Sequence, residues 1–177
     1  MVDRAAEGTS LQRFGFRTWR RLPLPVRLFV IRRATPSFSV GSIVVIERDD
    51  GHLLLIRNSY RKGWGFPGGF LKRGEAPADA ARRETCEEVG VEVVLDDNPK
   101  VVVDAGIRRV DVIFTGRPVD DAAAERPRPT SPEIVAAGWF PSTGLPEMQE
   151  EAVSALIEIG RSNRPPPSPR RGSRQDP

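Results

Sequence analysis

The segment that most constrains this chain is a glycine-rich run, Gly63–Gly74, leading directly into a helix-forming stretch, Pro77–Val89. Proline suits the first turn of a helix because the missing N–H has no intrahelical partner there. Alanines and charged residues fill the middle, and Gly90 supplies the left-handed stop. A glycine-rich run therefore leads straight into a helix with a recognisable start and stop.

The helix carries its acids in an unusual place. With Ala78 as zero and about 100° per residue, Thr85 and Val89 fall within about 20° of it and Ala81 about 60° away, which makes a sheet-facing side. Glu84, Glu87 and Glu88 fall near 240°, 180° and 280°, with Ala80 near 200° among them, small enough to let a ligand approach. A solvated acidic face is the ordinary fate of a Glu-rich helix. Here the three acids occupy the last turn and a half, where the helix dipole disfavours negative charge. Mutual repulsion adds to that cost unless a cation joins them. Hard oxygen donors beside a loop able to bring in a phosphate point to Mg²⁺ or Mn²⁺.

From Trp64-Gly-Phe-Pro-Gly-Gly through Arg83-Glu-Thr-Cys-Glu-Glu-Val-Gly-Val91, the stretch resembles the Nudix box. Gly69, Glu75, Arg83, Glu84, Glu87, Glu88, Gly90 and Val91 match in register, and the likeness extends over roughly Val40 to Gly160, including Pro132-Glu-Ile and Trp139-Phe. Thr85 stands where the family usually has an aliphatic residue, a departure that bears on packing.

The resemblance implies an α/β Nudix fold, a mixed β-sheet sandwiched between helices. It implies a metal-dependent hydrolase that cleaves a phosphoanhydride bond. Glu87 and Glu88 would be metal ligands and Glu84 a ligand or general base. Arg83 would orient a glutamate, plausibly Glu87 at i+4. Glu75 would brace the loop or join the metal shell, and Gly69 could offer its carbonyl. Glu133 sits where relatives often place a further ligand or base, with a plain surface glutamate as the alternative. Arg57, Tyr60 and Arg61 precede the box and either reach substrate or stay on the surface.

Around the box, Ser42–Arg48 and His52–Arg57 read as a hairpin about Asp49-Asp50-Gly51. His52 then reads as a solvated strand end. Strands are expected at Val91–Leu95, Val101–Ala105, Val110–Arg117 and Glu133–Phe140, with a helix over Glu147–Ile159. Cys86 reads as a small buried residue, Trp64 as packing, and Trp139 and Phe140 as core. The domain spans 38–160. A basic amphipathic arm, 1–37, precedes it, with short helices broken at Pro23 and Pro25. A Pro- and Arg-rich tail, 161–177, reads as disordered.

One cysteine and one histidine exclude a disulfide framework and a Cys/His zinc site. No targeting segment is recognisable, which leads to the expectation of a cytoplasmic enzyme. The net charge of +3 hides basic ends, eight arginines in 1–37 and five in 161–177. Arginine-rich composition throughout explains most of this. A nucleic-acid or membrane adaptor working through the flanks is the reading it leaves open. The arm's apolar residues, among them Leu11, Phe14, Phe16, Trp19, Phe29 and Ile31, call for burial, and because Pro23 and Pro25 break any long membrane-facing helix, packing on the domain or a homodimer partner is favoured over a membrane surface. A nucleotide-sensing Nudix module without hydrolysis is a further alternative, disfavoured because the box keeps all its carboxylates. Signatures for coenzyme A, NADH and dinucleoside polyphosphates are not evident, and Ala105-Gly106-Ile107 lacks the proline that often marks ADP-ribose enzymes. A nucleoside triphosphate, oxidised or not, or a nucleotide conjugate remains as substrate.

Overall fold

The computed structural model describes residues 19–120 and 124–162. The expectations for Leu11, Phe14, Phe16 and nearly all of the tail lie outside the described residues. The chain divides into two compact units, Met1–Phe38 and Ser39–Pro177.

In the first unit, helix α1 spans Leu24–Ala34. Proline at its first turn starts it, and it ends at Thr35, whose N–H and hydroxyl both donate to Ile31 O at 2.8 and 2.7 Å. Pro36 keeps that residue extended. Arg27, Arg32 and Arg33 fall at intervals of roughly 100–140° around the axis, and none of the helix residues is buried.

The second unit is a mixed sheet between two helices. Strand β1 (Ser39–Ile46) pairs antiparallel with β3 (Gly68–Phe70) and parallel with β6 (Arg109–Pro118). The far side of β6 carries β4 (Val93–Leu95) and β5 (Lys100–Asp104), both antiparallel. Strands β2 (His52–Asn58) and β7 (Ile134–Pro141) form a separate antiparallel pair. The expected hairpin therefore exists only at its turn, through a single bridge, Glu47 to Leu53. Beyond the turn its two strands part into different sheets. Both are apolar on both faces, and each finds a long partner elsewhere, β6 for one and β7 for the other.

Alternation along β1 divides the core. Val44 and Ile46 join Leu54, Ile56, Phe114 and Ile134 beneath helix α2 (Pro77–Val89), with Ala81, Val89 and Val91. Ile43 and Val45 join Leu53, Leu55, Phe66 and Ile113 beneath helix α3 (Glu150–Ser162), through Ala152 and Ala155. Gly90 ends α2 at φ 68°, and its N–H reaches Cys86 O at 3.0 Å. Thr85 is fully buried, and its hydroxyl donates to Ala81 O at 2.9 Å, so the polar departure in the box is satisfied within its own helix. Trp64 packs edge-on against Phe140 at 4.6 Å between ring centroids, while Trp139 lies against the other core cluster and donates its indole N–H to Ala124 O.

Burial around α2 is rotated by about 40° from the expected face, towards Glu88. Ala80, expected to stand open to a ligand, is fully buried, and Cys86, expected to be buried, is exposed. The cause is β3. A three-residue strand inside the glycine run packs beneath the helix beside β1, and helical periodicity does not reveal it.

Candidate active site

Two glycines let the sheet edge and α2 close on each other. A Cβ at Gly68 would collide with the Ser42 carbonyl across the β1–β3 ladder, and one at Gly69 would lie 2.5 Å from the Glu84 carboxyl. In the space they leave, the Gly68 N–H donates to Glu88 Oε2 at 2.9 Å. Glu88 is 7% exposed, and this is the one hydrogen bond of its carboxylate among the described residues. Burial pushes its pKa up to about 8 against the pull of the Gly68 N–H, and the carboxylates of Glu84, Glu133 and Glu87 push the same way as burial.

Arg83 organises the remaining acids. Its Nε and Nη2 clasp the two oxygens of Glu75 at 2.7 and 2.9 Å. Nη1 reaches Glu84 at 2.6 Å and Glu87 at 3.1 Å, and Nη2 also reaches Phe70 O at 3.3 Å. Five donors meet five acceptors, the full capacity of a guanidinium. The Arg83 clasp holds Glu75 down to a pKa of about 2, helped by the Lys72 N–H at 2.7 Å. The i+4 contact to Glu87 is present, but the bidentate partner is Glu75, at the far end of the loop. Glu87 is half exposed and also meets Lys72 at 3.4 Å.

These groups open into a cleft of about 350 Å³. Gly68, Gly69, Glu84, Glu88 and Glu133 line it. Arg61 lines it too and pairs with Glu151 on α3 at 2.8 Å, while Tyr60 stands exposed on the cleft wall. Arg57 is not part of the lining and lies over the Trp64 ring at 5.7 Å. His52 stands at the start of β2 beside Asp50. Sequence reading missed Phe70, Arg109, Gln149 and Glu151, all of which line the cleft. The signal available for Arg109 was its i, i+2 relation to Asp111, which puts both on one face of a strand. Nothing local marks Glu151.

The residues present suit a hard divalent cation. Glu88 is a buried acid hemmed in by three others, so a cation would relieve it. No three acidic, cysteine or histidine side chains among the described residues already form an ion cage, because Arg83 engages Glu84 and Glu87. One or two carboxylates suffice for Mg²⁺, which keeps waters and shares substrate phosphate oxygens.

Residues 38–158 match the family model for the NUDIX domain. A MutT-like protein of Streptomyces ambofaciens is 33% identical over 122 residues, covering 69% of this chain and 76% of its own length. The ADP-sugar pyrophosphatase of Mus musculus is 32% identical over 125 residues, 64% of this chain and 54% of that one. Among solved structures, a MutT NUDIX hydrolase from Burkholderia pseudomallei superposes with a TM-score of 0.57 at 27% identity, covering 70% of this chain and 99% of that one.

Proposed function

The chain belongs to the Nudix family, and on that premise we propose that this hydrolase uses Mg²⁺ or Mn²⁺ to cleave a phosphoanhydride bond in a nucleoside triphosphate or nucleotide conjugate. The observation that carries the reading is Glu88, a buried carboxylate with one backbone N–H for support and with Glu84, Glu87 and Glu133 around it. A fold keeps such a group at a cost, and the cost is offset when a cation occupies the cleft.

In this reading Glu88 and Glu84 hold the metal, with Glu87 completing the shell and Gly69 offering its carbonyl. The metal, when bound, supplies charge neutralisation at the diphosphate and an acidified water. Glu84 or Glu133 takes the proton of the attacking water, since both line the cleft next to Glu88. Arg83 and Glu75 act through position. Their bidentate pair ties the loop before α2 to the helix itself, so the glycine backbone and the carboxylates keep their spacing during turnover. Arg61 reaches substrate from the cleft wall, and Arg57 supports Trp64. With one cysteine in the chain and no described helix long and apolar enough to cross a membrane, a cytoplasmic setting fits.

The names of the relatives support the chemistry more than the substrate, since the chain spans only about half of the ADP-sugar pyrophosphatase it matches. The test is a panel of nucleoside triphosphates, including oxidised ones, and nucleoside diphosphate sugars, read as phosphate or pyrophosphate release. Turnover should require Mg²⁺ or Mn²⁺ and vanish in excess chelator. Full turnover in chelator would overturn the metal mechanism, and no turnover across the panel would favour a nucleotide sensor.

A further inference from the structure

One wall of the cleft is built from parts far apart in sequence. Arg61 follows β2, Arg109 opens β6 and Glu151 lies in the first turn of α3. Both arginines meet the same oxygen, Glu151 Oε1, Arg61 Nη1 at 2.8 Å and Arg109 Nη1 at 3.8 Å. Arg109 is further held by its Nε, which donates to Asp111 Oδ1 at 2.8 Å, and the side chains of that pair are 14% and 10% exposed. Burial pushes the Glu151 carboxyl up, but its own backbone N–H and the two arginines outweigh it and leave its pKa lowered.

The sheet register explains how Arg109 reaches the cleft. Across β3, β1 and β6, Phe70, Gly41 and Asp111 are cross-strand neighbours. Gly41 has no side chain, and a Cβ there would collide with the Asp111 carboxylate and come within 3.3 Å of Arg109 Nη2. The guanidinium therefore lies across the gap, over the Phe70 ring at 5.0 Å. Phe70 belongs to the loop whose carbonyl Arg83 holds. The arginines and the carboxylates of the cleft thus meet at one strand, β3.

Each guanidinium carries five donors and, among the described residues, Arg61 and Arg109 each spend one on a hydrogen bond. Glu151 and Asp111 balance their charge and hold them in place. The remaining N–H groups are preorganised in pairs, the geometry that matches phosphate oxygens. Glu84, Glu88 and Glu133 line the same cleft and repel any anion that no metal accompanies.

We propose that Arg61 and Arg109, bridged by Glu151, form a phosphate clamp that selects substrates carrying a further phosphate beyond the scissile anhydride, of the nucleoside triphosphate class, over those whose distal group is an uncharged sugar. The proposal rests on the hydrolase reading above for its kinetic arm and on binding alone for the other. In the kinetic arm, kcat and KM are measured with Mg²⁺ for GTP and for ADP-glucose in the wild type, R61Q and R109K. R109K keeps a cation against Asp111, so the buried acid is not stranded, but it loses the planar fork. Each variant should lower the ratio of kcat/KM for GTP over ADP-glucose by about tenfold, chiefly through KM for GTP. In the binding arm, inorganic tripolyphosphate and pyrophosphate are titrated calorimetrically with Mg²⁺ present, so that the glutamates are screened alike in wild type and variant. The wild type should bind tripolyphosphate more tightly, and R61Q should reduce that preference by about tenfold. If neither nucleotide is turned over while the titration still depends on Arg61, hydrolysis fails and the clamp stands. Equal losses on both nucleotides, a wild type that prefers ADP-glucose, or titrations indifferent to Arg61 would each overturn the clamp and leave Arg109 as a structural strut.

Discussion

Replacing Glu88 by Gln should separate the carboxylate's work in catalysis from its cost to the fold. Glutamine keeps the shape of the neutral acid and still accepts the Gly68 N–H that Glu88 Oε2 now takes at 2.9 Å. In metal-free protein, burial first, then Glu84, Glu133 and Glu87, raise the Glu88 pKa from 4.5 to about 8. A group that holds its proton more tightly in the fold than in the unfolded chain contributes fully below about pH 4.5, and that contribution is lost as pH rises through about 8. Each pH step inside that window weakens the fold by about 1.4 kcal/mol, so roughly 3 kcal/mol is gone by pH 7. For a chain of this size that corresponds to roughly 10 °C in melting temperature. The assay is thermal unfolding in chelator from pH 5 to 8, comparing wild type with E88Q. The difference between them should grow with pH, with the variant the more stable at neutrality. Millimolar Mg²⁺ or Mn²⁺ should abolish the wild type's disadvantage and leave the variant unchanged. Turnover in the variant should fall on the order of a hundredfold. Parallel unfolding curves at every pH, or a variant less stable than wild type at pH 7 in chelator, would refute the reasoning.

Two further substitutions test the packing that builds the site. Gly68→Ala drives a Cβ into the Ser42 carbonyl, a backbone atom with little room to move; β3 should part from β1, with a loss of about 1–3 kcal/mol in denaturant unfolding and of most activity. Thr85→Val removes a hydroxyl whose acceptor, Ala81 O, also accepts within the helix. Stability should change by less than about 1 kcal/mol, and a larger loss would mean that the Thr85 hydroxyl holds more than its own helix.

Much of this protein is legible along the chain because it is local. Proline at the start of α2, the left-handed Gly90 at its end and the glycine run before it depend on neighbouring residues only, and each lies where the residues demand. The spacing from Gly69 to Val91 likewise carries its family signature without reference to the rest of the chain. Tertiary structure decided what local pattern cannot express. Periodicity places Glu84, Glu87 and Glu88 relative to the helix axis, but which of them is buried depends on what packs beneath. Against the three-residue strand Gly68–Phe70, Glu88 turns inward and Ala80 is sealed, while Cys86 stays outside. The two strands flanking Gly51 carry enough apolar residues to pair with each other, yet the pairing partners were chosen by β6 and β7, more than fifty residues away. Arg61, Arg109 and Glu151 meet only because sheet register and the seating of α3 bring them together in the cleft. A charged side chain in a strand or a first helical turn looks the same in sequence whether it meets solvent or another charge, since its partner is set by three-dimensional proximity and its surroundings by burial.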